Sequence, residues 1–131
     1  MKKQTILFVE DDQWLSELYV AALRRVSGLQ VLVADSADAA LGMLDKGPIN
    51  LIVLDMYLGA HNGIEFLHEI LSYDDTNKIP VLILSAVHEH DFSMPRDRWL
   101  HYGVVEYLYK PTTKPAELVA AVKKQLLGVR S

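Results

Sequence analysis

A chain of 131 residues that is 50% apolar and 23% charged has material for one domain with a full core. Its formal net charge of −4 argues against direct nucleic-acid binding, which needs a basic face, and the lack of cysteine excludes disulfides and thiolate metal sites. No apolar run approaches the length of a membrane span, and the apolar stretch after Gln4 meets acids at Glu10, unlike a signal peptide, so a cytoplasmic protein is expected.

Apolar runs and helical periodicities alternate along the chain. Residues 5–9 are too short an apolar run for a helix and read as a strand. Residues 13–27 place Leu15, Leu18, Tyr19, Ala22 and Val26 at helical spacing, and Gly28 follows as a stop. Residues 30–34 read as a second strand. Ser36 is positioned to cap a helix with Ala37, Ala40, Leu41 and Leu44 inward, closed by Gly47-Pro48. Leu51–Leu54 is a third strand, and residues 56–62 a loop. A helix with Ile64, Leu67, Ile70 and Leu71 on one face starts near Gly63. Residues 81–84 form a fourth strand, residues 87–94 a polar loop, and a short helix follows Pro95 and ends at Gly103. Val104–Tyr109 is the fifth strand. Thr112 or Thr113 is expected to cap a last helix with Leu118, Val119, Val122 and Leu126 inward.

Strands alternating with helices predict a parallel sheet covered on both faces, in one α/β domain over 1–131 with no output domain. Nearly continuous apolar strands agree, because such strands are buried on both sides. Polar residues appear where these runs stop: Glu10-Asp11-Asp12, Asp55, Ser85 and Lys110. Each then sits at a strand's carboxyl end, the edge where open α/β sheets bind ligands. Carboxylates on neighbouring strand ends, about 5 Å apart, repel unless a cation joins them. A hard ion such as Mg²⁺ suits oxygen ligands. Asp55 can act as a nucleophile forming an acyl phosphate, Lys110 supplies a point charge for phosphate, and Ser85 a hydrogen bond. Taken alone, the acids could equally be solvated loop residues or helix caps. Tyr107 and Tyr109 alternate on one strand and share a face, as half-buried strand aromatics also do. His88-Glu89-His90-Asp91 reads as a solvated loop without a third fixed metal ligand, and Trp99, Leu100 and Tyr102 as either core or partner surface. Lys123 and Lys124 belong to the wet face of the last helix.

Four motifs in order carry a family resemblance over nearly the whole chain. They are Ile6-Leu7-Phe8-Val9-Glu10-Asp11-Asp12, Leu51-Ile52-Val53-Leu54-Asp55 with Gly63 eight residues on, Leu84-Ser85-Ala86, and Gly103 through Tyr107 to Lys110-Pro111. The chain resembles the receiver domain of two-component response regulators. The resemblance implies a flavodoxin-like, doubly wound five-stranded parallel sheet of order 2-1-3-4-5 with five helices. It implies that Asp55 accepts a phosphoryl group from a sensor histidine kinase or histidine phosphotransfer protein, with Mg²⁺ as cofactor. Asp11 would ligate the ion directly, Glu10 through water, and Asp55 and the backbone carbonyl of Tyr57 would complete the protein ligands. Asp12 would be a third acid or a cap. Ser85 and Lys110 would contact the phosphoryl oxygens, and Tyr107 would be a switch aromatic that turns inward as Ser85 moves. Lys110-Pro111 would be a cis peptide. A phosphorylation-dependent surface on the fourth helix, fifth strand and fifth helix would bind an unidentified downstream protein, the domain being a monomer or weak homodimer without nucleic-acid or membrane contact.

The chain departs from the family in Gly59-Ala60, where proline and glycine are usual, in Thr112 after Lys110-Pro111, and in a stretch from Ser85 to Gly103 about three residues longer. Gly59 is expected to loosen its loop. Bulky or apolar Tyr57 and Val87 beside the site would slow water attack and prolong the phosphoryl state. Two other readings stand beside this one. A phosphatase of the haloacid dehalogenase type would need a second Asp where Tyr57 stands. A receiver-like module that is never phosphorylated would bind its partner through the same fold.

Overall fold

The computed structural model describes residues 3–58, 61–92 and 94–127. Five parallel strands form one sheet: β1 (Gln4–Val9), β2 (Leu29–Ala34), β3 (Leu51–Leu54), β4 (Val81–Ser85) and β5 (Val104–Tyr109), in the order β2-β1-β3-β4-β5. The five helices are α1 (Gln13–Arg24), α2 (Ala37–Lys46), α3 (Gly63–Leu71), α4 (Arg96–His101) and α5 (Pro115–Leu127). This is the doubly wound α/β fold expected from the alternation.

The period-two alternation of a strand splits the core in two. Leu7, Val9, Ile52, Leu54 and Ile83 pack with Ala40, Leu44, Phe66, Leu67, Ile70 and Trp99 from α2, α3 and α4. Ile6, Phe8, Val53, Leu82 and Leu84 pack with Tyr19, Val20, Leu23, Leu118 and Val122 from α1 and α5. Each such fully buried side chain contributes about 1.5–3 kcal/mol. A one-residue slip of any strand would exchange its two faces, so the packing sets the register. Val9 lies level with Ala34 and Leu54, Leu54 with Ile83, and Ser85 with Tyr109. The strand ends that follow are therefore placed to within the tolerance of two packed cores.

Several expectations about the helices need correction. The buried face of α1 is Ser16, Tyr19, Val20 and Leu23, one residue out of phase with the expected stripe, and Leu18 is 72% exposed beside Trp14 at 80%. The side chain of Leu15 lies outside the described residues. In α3 Phe66 joins Leu67 and Ile70 in the core, while Ile64 and Leu71 are half-buried. Ser36 does cap α2, its hydroxyl accepting from the Ala39 amide at 3.1 Å. Thr112 and Thr113 do not cap α5: their hydroxyls donate to the Tyr109 carbonyl at 3.2 and 2.8 Å. The Glu117 carboxylate instead accepts from the Lys114 amide at 2.8 Å, closing the helix start from its third position. No described peptide bond is cis, so Lys110-Pro111 is trans, and Lys110–Thr112 form a 3₁₀ turn that takes Pro111 at its start without losing a needed donor. α1 ends at Arg24, short of the expected residue 27, so Gly28 does not stop it but turns the chain into β2; Gly28 and Gly103, the latter just after α4, lie in the left-handed region at φ 80° and 81°, where other residues are strained.

The expected loop after Asp55 contains two short antiparallel strands, Tyr57–Leu58 and His61–Asn62. Residues 59 and 60, with the expected effect of Gly59, lie outside the described residues. The polar loop before α4 contains a 3₁₀ turn, Glu89–Phe92.

Candidate active site

The backbone ladder runs one residue past each strand and carries the acids with it. The Glu10 amide donates to the Ala34 carbonyl at 3.0 Å, and the Asp55 amide to the Val9 carbonyl at 3.0 Å. Glu10 and Asp55 are thus held by main chain, and both are buried, at 2% and 8% exposure. Asp11 is exposed at the rim, and Asp12, also exposed, starts α1 by accepting from the Ser16 amide at 3.1 Å. Carboxylate oxygens of Glu10, Asp11 and Asp55 all lie within 4.8 Å of one another. Lys110, at the first residue beyond β5, reaches back across the edge. Its Nζ lies 3.2 Å from Glu10 Oε1 and 3.2 Å from Asp55 Oδ2.

This arrangement is electrostatically tense. Burial pushes the Glu10 carboxyl up to about 8, and the hydrogen bond and charge of Asp55 push the same way against Lys110. Burial alone would lower the Lys110 pKa, but Asp55 and Glu10 outweigh it and raise it. The lysine stays charged and Glu10 holds a proton where an ordinary glutamate would not. Three carboxyl groups at this separation suit a hard divalent cation, whose charge would replace that proton.

A pH dependence follows. Unfolded, Glu10 releases its proton near 4.5; folded, near 8. The folded state binds more protons in between, so this contribution to stability is complete below about 4.5 and lost as pH rises through about 8. With a chelator present, Glu10→Gln should melt within a degree or so of the parent at pH 5 and a few degrees above it at pH 9. Equal melting differences at both pH values would show that Glu10 is not held protonated.

Ser85 ends β4 on the strand beside Asp55, fully buried, its hydroxyl accepting from the Val87 amide at 3.2 Å. Ser85 and Tyr107 are thus linked through Val87, whose amide donates to the one and whose carbonyl accepts from the other. Tyr107 lies half-buried against Trp99 and Phe92, ring centroids 5.6 and 6.3 Å away, and its hydroxyl donates to the Val87 carbonyl. Burial, more than any neighbouring charge, raises its phenol to about 12, so it remains a donor. The ring of the tyrosine thus packs between β5 and α4. The aromatic pair of Phe92 and Trp99 provides the physical reason, and neither residue was assigned to the site from sequence.

Tyr57 stands two residues after Asp55 at the start of its short strand, with its side chain outside the described residues. Val87 is half-buried. Trp99 and Tyr102 are core, and Leu100 is 58% exposed, so that trio divides between the two readings. His88 and His90 are exposed with ring centroids 3.8 Å apart, and they do not belong to the group of three acids. Gly63 proves closer to the site than spacing suggested. Its amide donates to the Met56 carbonyl at 2.6 Å, and a Cβ there would lie 2.9 Å from Met56 Sδ, 3.0 Å from Met56 Cα and 3.3 Å from the Asp55 carbonyl. Gly63→Ala should therefore cost about 1–3 kcal/mol in urea unfolding, because backbone must move. A loss below about 0.5 kcal/mol would show that residue 56 shifts freely.

An acidic triad, a bridging lysine and a buried hydroxyl lie together at the carboxyl edge of a 2-1-3-4-5 sheet, the architecture of a receiver domain. The chain belongs to the response regulator receiver domain family, whose pattern matches residues 6–123, and it is a receiver domain of two-component signal transduction. It is 36% identical over 107 residues to the transcriptional regulatory protein MalR of Bacillus subtilis, covering 81% of this chain and 43% of MalR. It is 35% identical over 118 residues to the phosphate regulon transcriptional regulatory protein PhoB of Escherichia coli, covering 90% of this chain and 49% of PhoB. The chain thus spans about half the length of these curated relatives. The fold is shared with a two-component response regulator from Clostridium difficile, at TM-score 0.81 and 23% identity over 98% of this chain and 100% of that one. It is also shared with a CheY-like receiver domain protein from Methanospirillum hungatei, at TM-score 0.80 and 22% identity over 95% and 94%. No described helix is long and apolar enough to cross a membrane.

Proposed function

We propose that Asp55 accepts a phosphoryl group from a histidine kinase or histidine phosphotransfer protein, in the cytoplasm, and that acceptance changes how the domain binds a downstream protein. The observation that carries this is Lys110 Nζ bridging Glu10 and Asp55 at 3.2 Å at the sheet edge. A carboxylate oxygen of Asp55 forms the new O–P bond while the donor's N–P bond breaks, its electron pair leaving on the imidazole nitrogen. Little covalent work is asked of the protein, so positioning and charge neutralisation dominate. Lys110 already faces Asp55 and neutralises charge gathering on the phosphoryl oxygens.

Mg²⁺ would be held by Asp11 and Asp55, by Glu10 through water, and by the Tyr57 carbonyl; when bound it would neutralise phosphoryl charge. Ser85 would donate its hydroxyl proton to a phosphoryl oxygen, and its movement toward that oxygen would break the bond it accepts from the Val87 amide. Val87 in turn holds the Tyr107 hydroxyl at its carbonyl, which links the site to β5. The group acts as a signalling acceptor rather than as a turnover catalyst. As a receiver the domain is a monomer or weak homodimer and touches neither nucleic acid nor membrane itself. Intact mass after incubation with acetyl phosphate tests the reading. A gain of one phosphoryl group that requires Mg²⁺ supports it, and no gain under any condition leaves a docking module with a receiver fold.

A further inference from the structure

Tyr19 stands apart from the acidic cluster but is bonded to the turn that carries Lys110. It lies two turns into α1, the helix that starts immediately after the acidic residues Glu10 and Asp11. Its ring is 9% exposed and packs into the core beneath β1 and β3. A buried tyrosine needs a partner for its hydroxyl. Here the hydroxyl donates to the Thr113 carbonyl at 2.7 Å, with the Lys110 carbonyl 3.5 Å away. Both acceptors belong to the segment that carries the Lys110 ammonium to Asp55.

Apart from the Lys110 ammonium itself, which reaches Glu10 and Asp55, the remaining described bonds of that segment are local. The Thr113 amide donates to the Lys110 carbonyl at 3.1 Å, and the hydroxyls of Thr112 and Thr113 donate to the Tyr109 carbonyl. These bonds shape the turn but do not tie it to a neighbouring element. The Tyr19 hydroxyl does, joining the lysine-bearing turn to the helix that follows the acids. Burial raises the Tyr19 phenol from its usual value, so the hydroxyl keeps its proton and remains a donor.

We propose that Tyr19 is a positioning residue for phosphoryl transfer, its hydroxyl fixing the Lys110–Thr112 turn against α1 so that the lysine stands at a set distance from Asp55. The proposal rests on the phosphoacceptor reading. Charge stabilisation of a transferring group depends on donors held in place before reaction, so a loosened turn slows transfer without changing the acids. Tyr19→Phe keeps the ring and removes the bond.

The test is phosphoryl uptake from acetyl phosphate at saturating Mg²⁺, with Mg²⁺ affinity measured in parallel. Tyr19→Phe should slow uptake about three- to tenfold and change the Mg²⁺ dissociation constant less than about twofold. In a Lys110→Ala background the same substitution should produce no further slowing, since the group being positioned is gone. A loss of packing alone would slow both backgrounds equally, and that result, or uptake equal to the parent's, would overturn the proposal. The order of the Lys110 side chain, read by NMR relaxation at its Cε, provides a readout independent of uptake. It should fall in Tyr19→Phe; an unchanged value would overturn the proposal even if the parent took up phosphoryl groups. If the parent takes up none while Lys110 order falls, the phosphoacceptor reading fails and the positioning contact stands.

Discussion

Asp55→Ala should take up no phosphoryl group from acetyl phosphate and Mg²⁺, as read by intact mass, while keeping its fold. The expectation separates chemistry from structure because the two effects run in opposite directions. Asp55 is held by its amide bond to the Val9 carbonyl, and that bond survives the substitution. Its carboxylate is one of the groups that push the Glu10 carboxyl up to about 8. Removing it relieves that repulsion and leaves Lys110 paired with Glu10 at 3.2 Å. The melting temperature in a chelator should therefore stay within a few degrees of the parent or rise. The Ser85 hydroxyl is buried and bonded to the Val87 amide, with no base shown against it, so it does not replace the nucleophile. A phosphoryl gain that persists in Asp55→Ala would place the acceptor elsewhere. A large fall in melting temperature would make the loss of uptake uninformative, and Asp55→Asn, which keeps shape without charge, would then decide.

Strand ends were legible in the sequence because a parallel strand buried on both faces reads as an uninterrupted apolar run, and the first acid, hydroxyl or lysine after it stands out. Glu10, Asp55, Ser85 and Lys110 were all found this way, and β-sheet register then brought Glu10, Asp55 and Lys110 together. Helix faces were harder. In α1 two apolar stripes compete, Leu15–Leu18–Ala22–Val26 and Tyr19–Val20–Leu23, and helical periodicity alone does not choose between them. The sheet chooses the stripe containing Leu23, and leaves Trp14 and Leu18 exposed. The strands at residues 57–58 and 61–62 are two residues each, too short for a period-two signal. The threonines before α5 looked like caps because threonine commonly caps. Their hydroxyls turn to the Tyr109 carbonyl instead, because the 3₁₀ turn after β5 brings that carbonyl within reach. The Tyr19 clamp was hidden for a related reason: helical spacing marked the residue as apolar core, and only its phenol oxygen hinted that a buried partner had to exist.

Lys110→Ala should impair both function and stability, and the pH dependence of the second effect is what identifies the cause. The ammonium stands between two carboxylates that are 2% and 8% exposed, and its own side chain is 12% exposed. Breaking such a pair leaves buried charge without compensation, a cost of roughly 3 kcal/mol. Glu10 can escape part of that cost by keeping its proton, and with the lysine gone the one group that lowers its pKa is gone as well. Its folded pKa then moves further above 4.5, so the variant is closest to the parent in acid and falls away from it as pH rises. In a chelator the melting difference should be small at pH 5 and several degrees at pH 9. The same loss at both pH values would mean that the lysine's aliphatic stem, not its charge, supports the site. Phosphoryl uptake should fall about 10²- to 10³-fold, the usual effect of deleting one preorganised charge at a site of transfer. Lys110→Met keeps most of the stem without the charge and should reproduce the slow uptake. Uptake within about twofold of the parent in both variants would remove Lys110 from the phosphoryl site and leave it a structural counter-ion for Glu10 and Asp55, whose mutual repulsion needs one in either case.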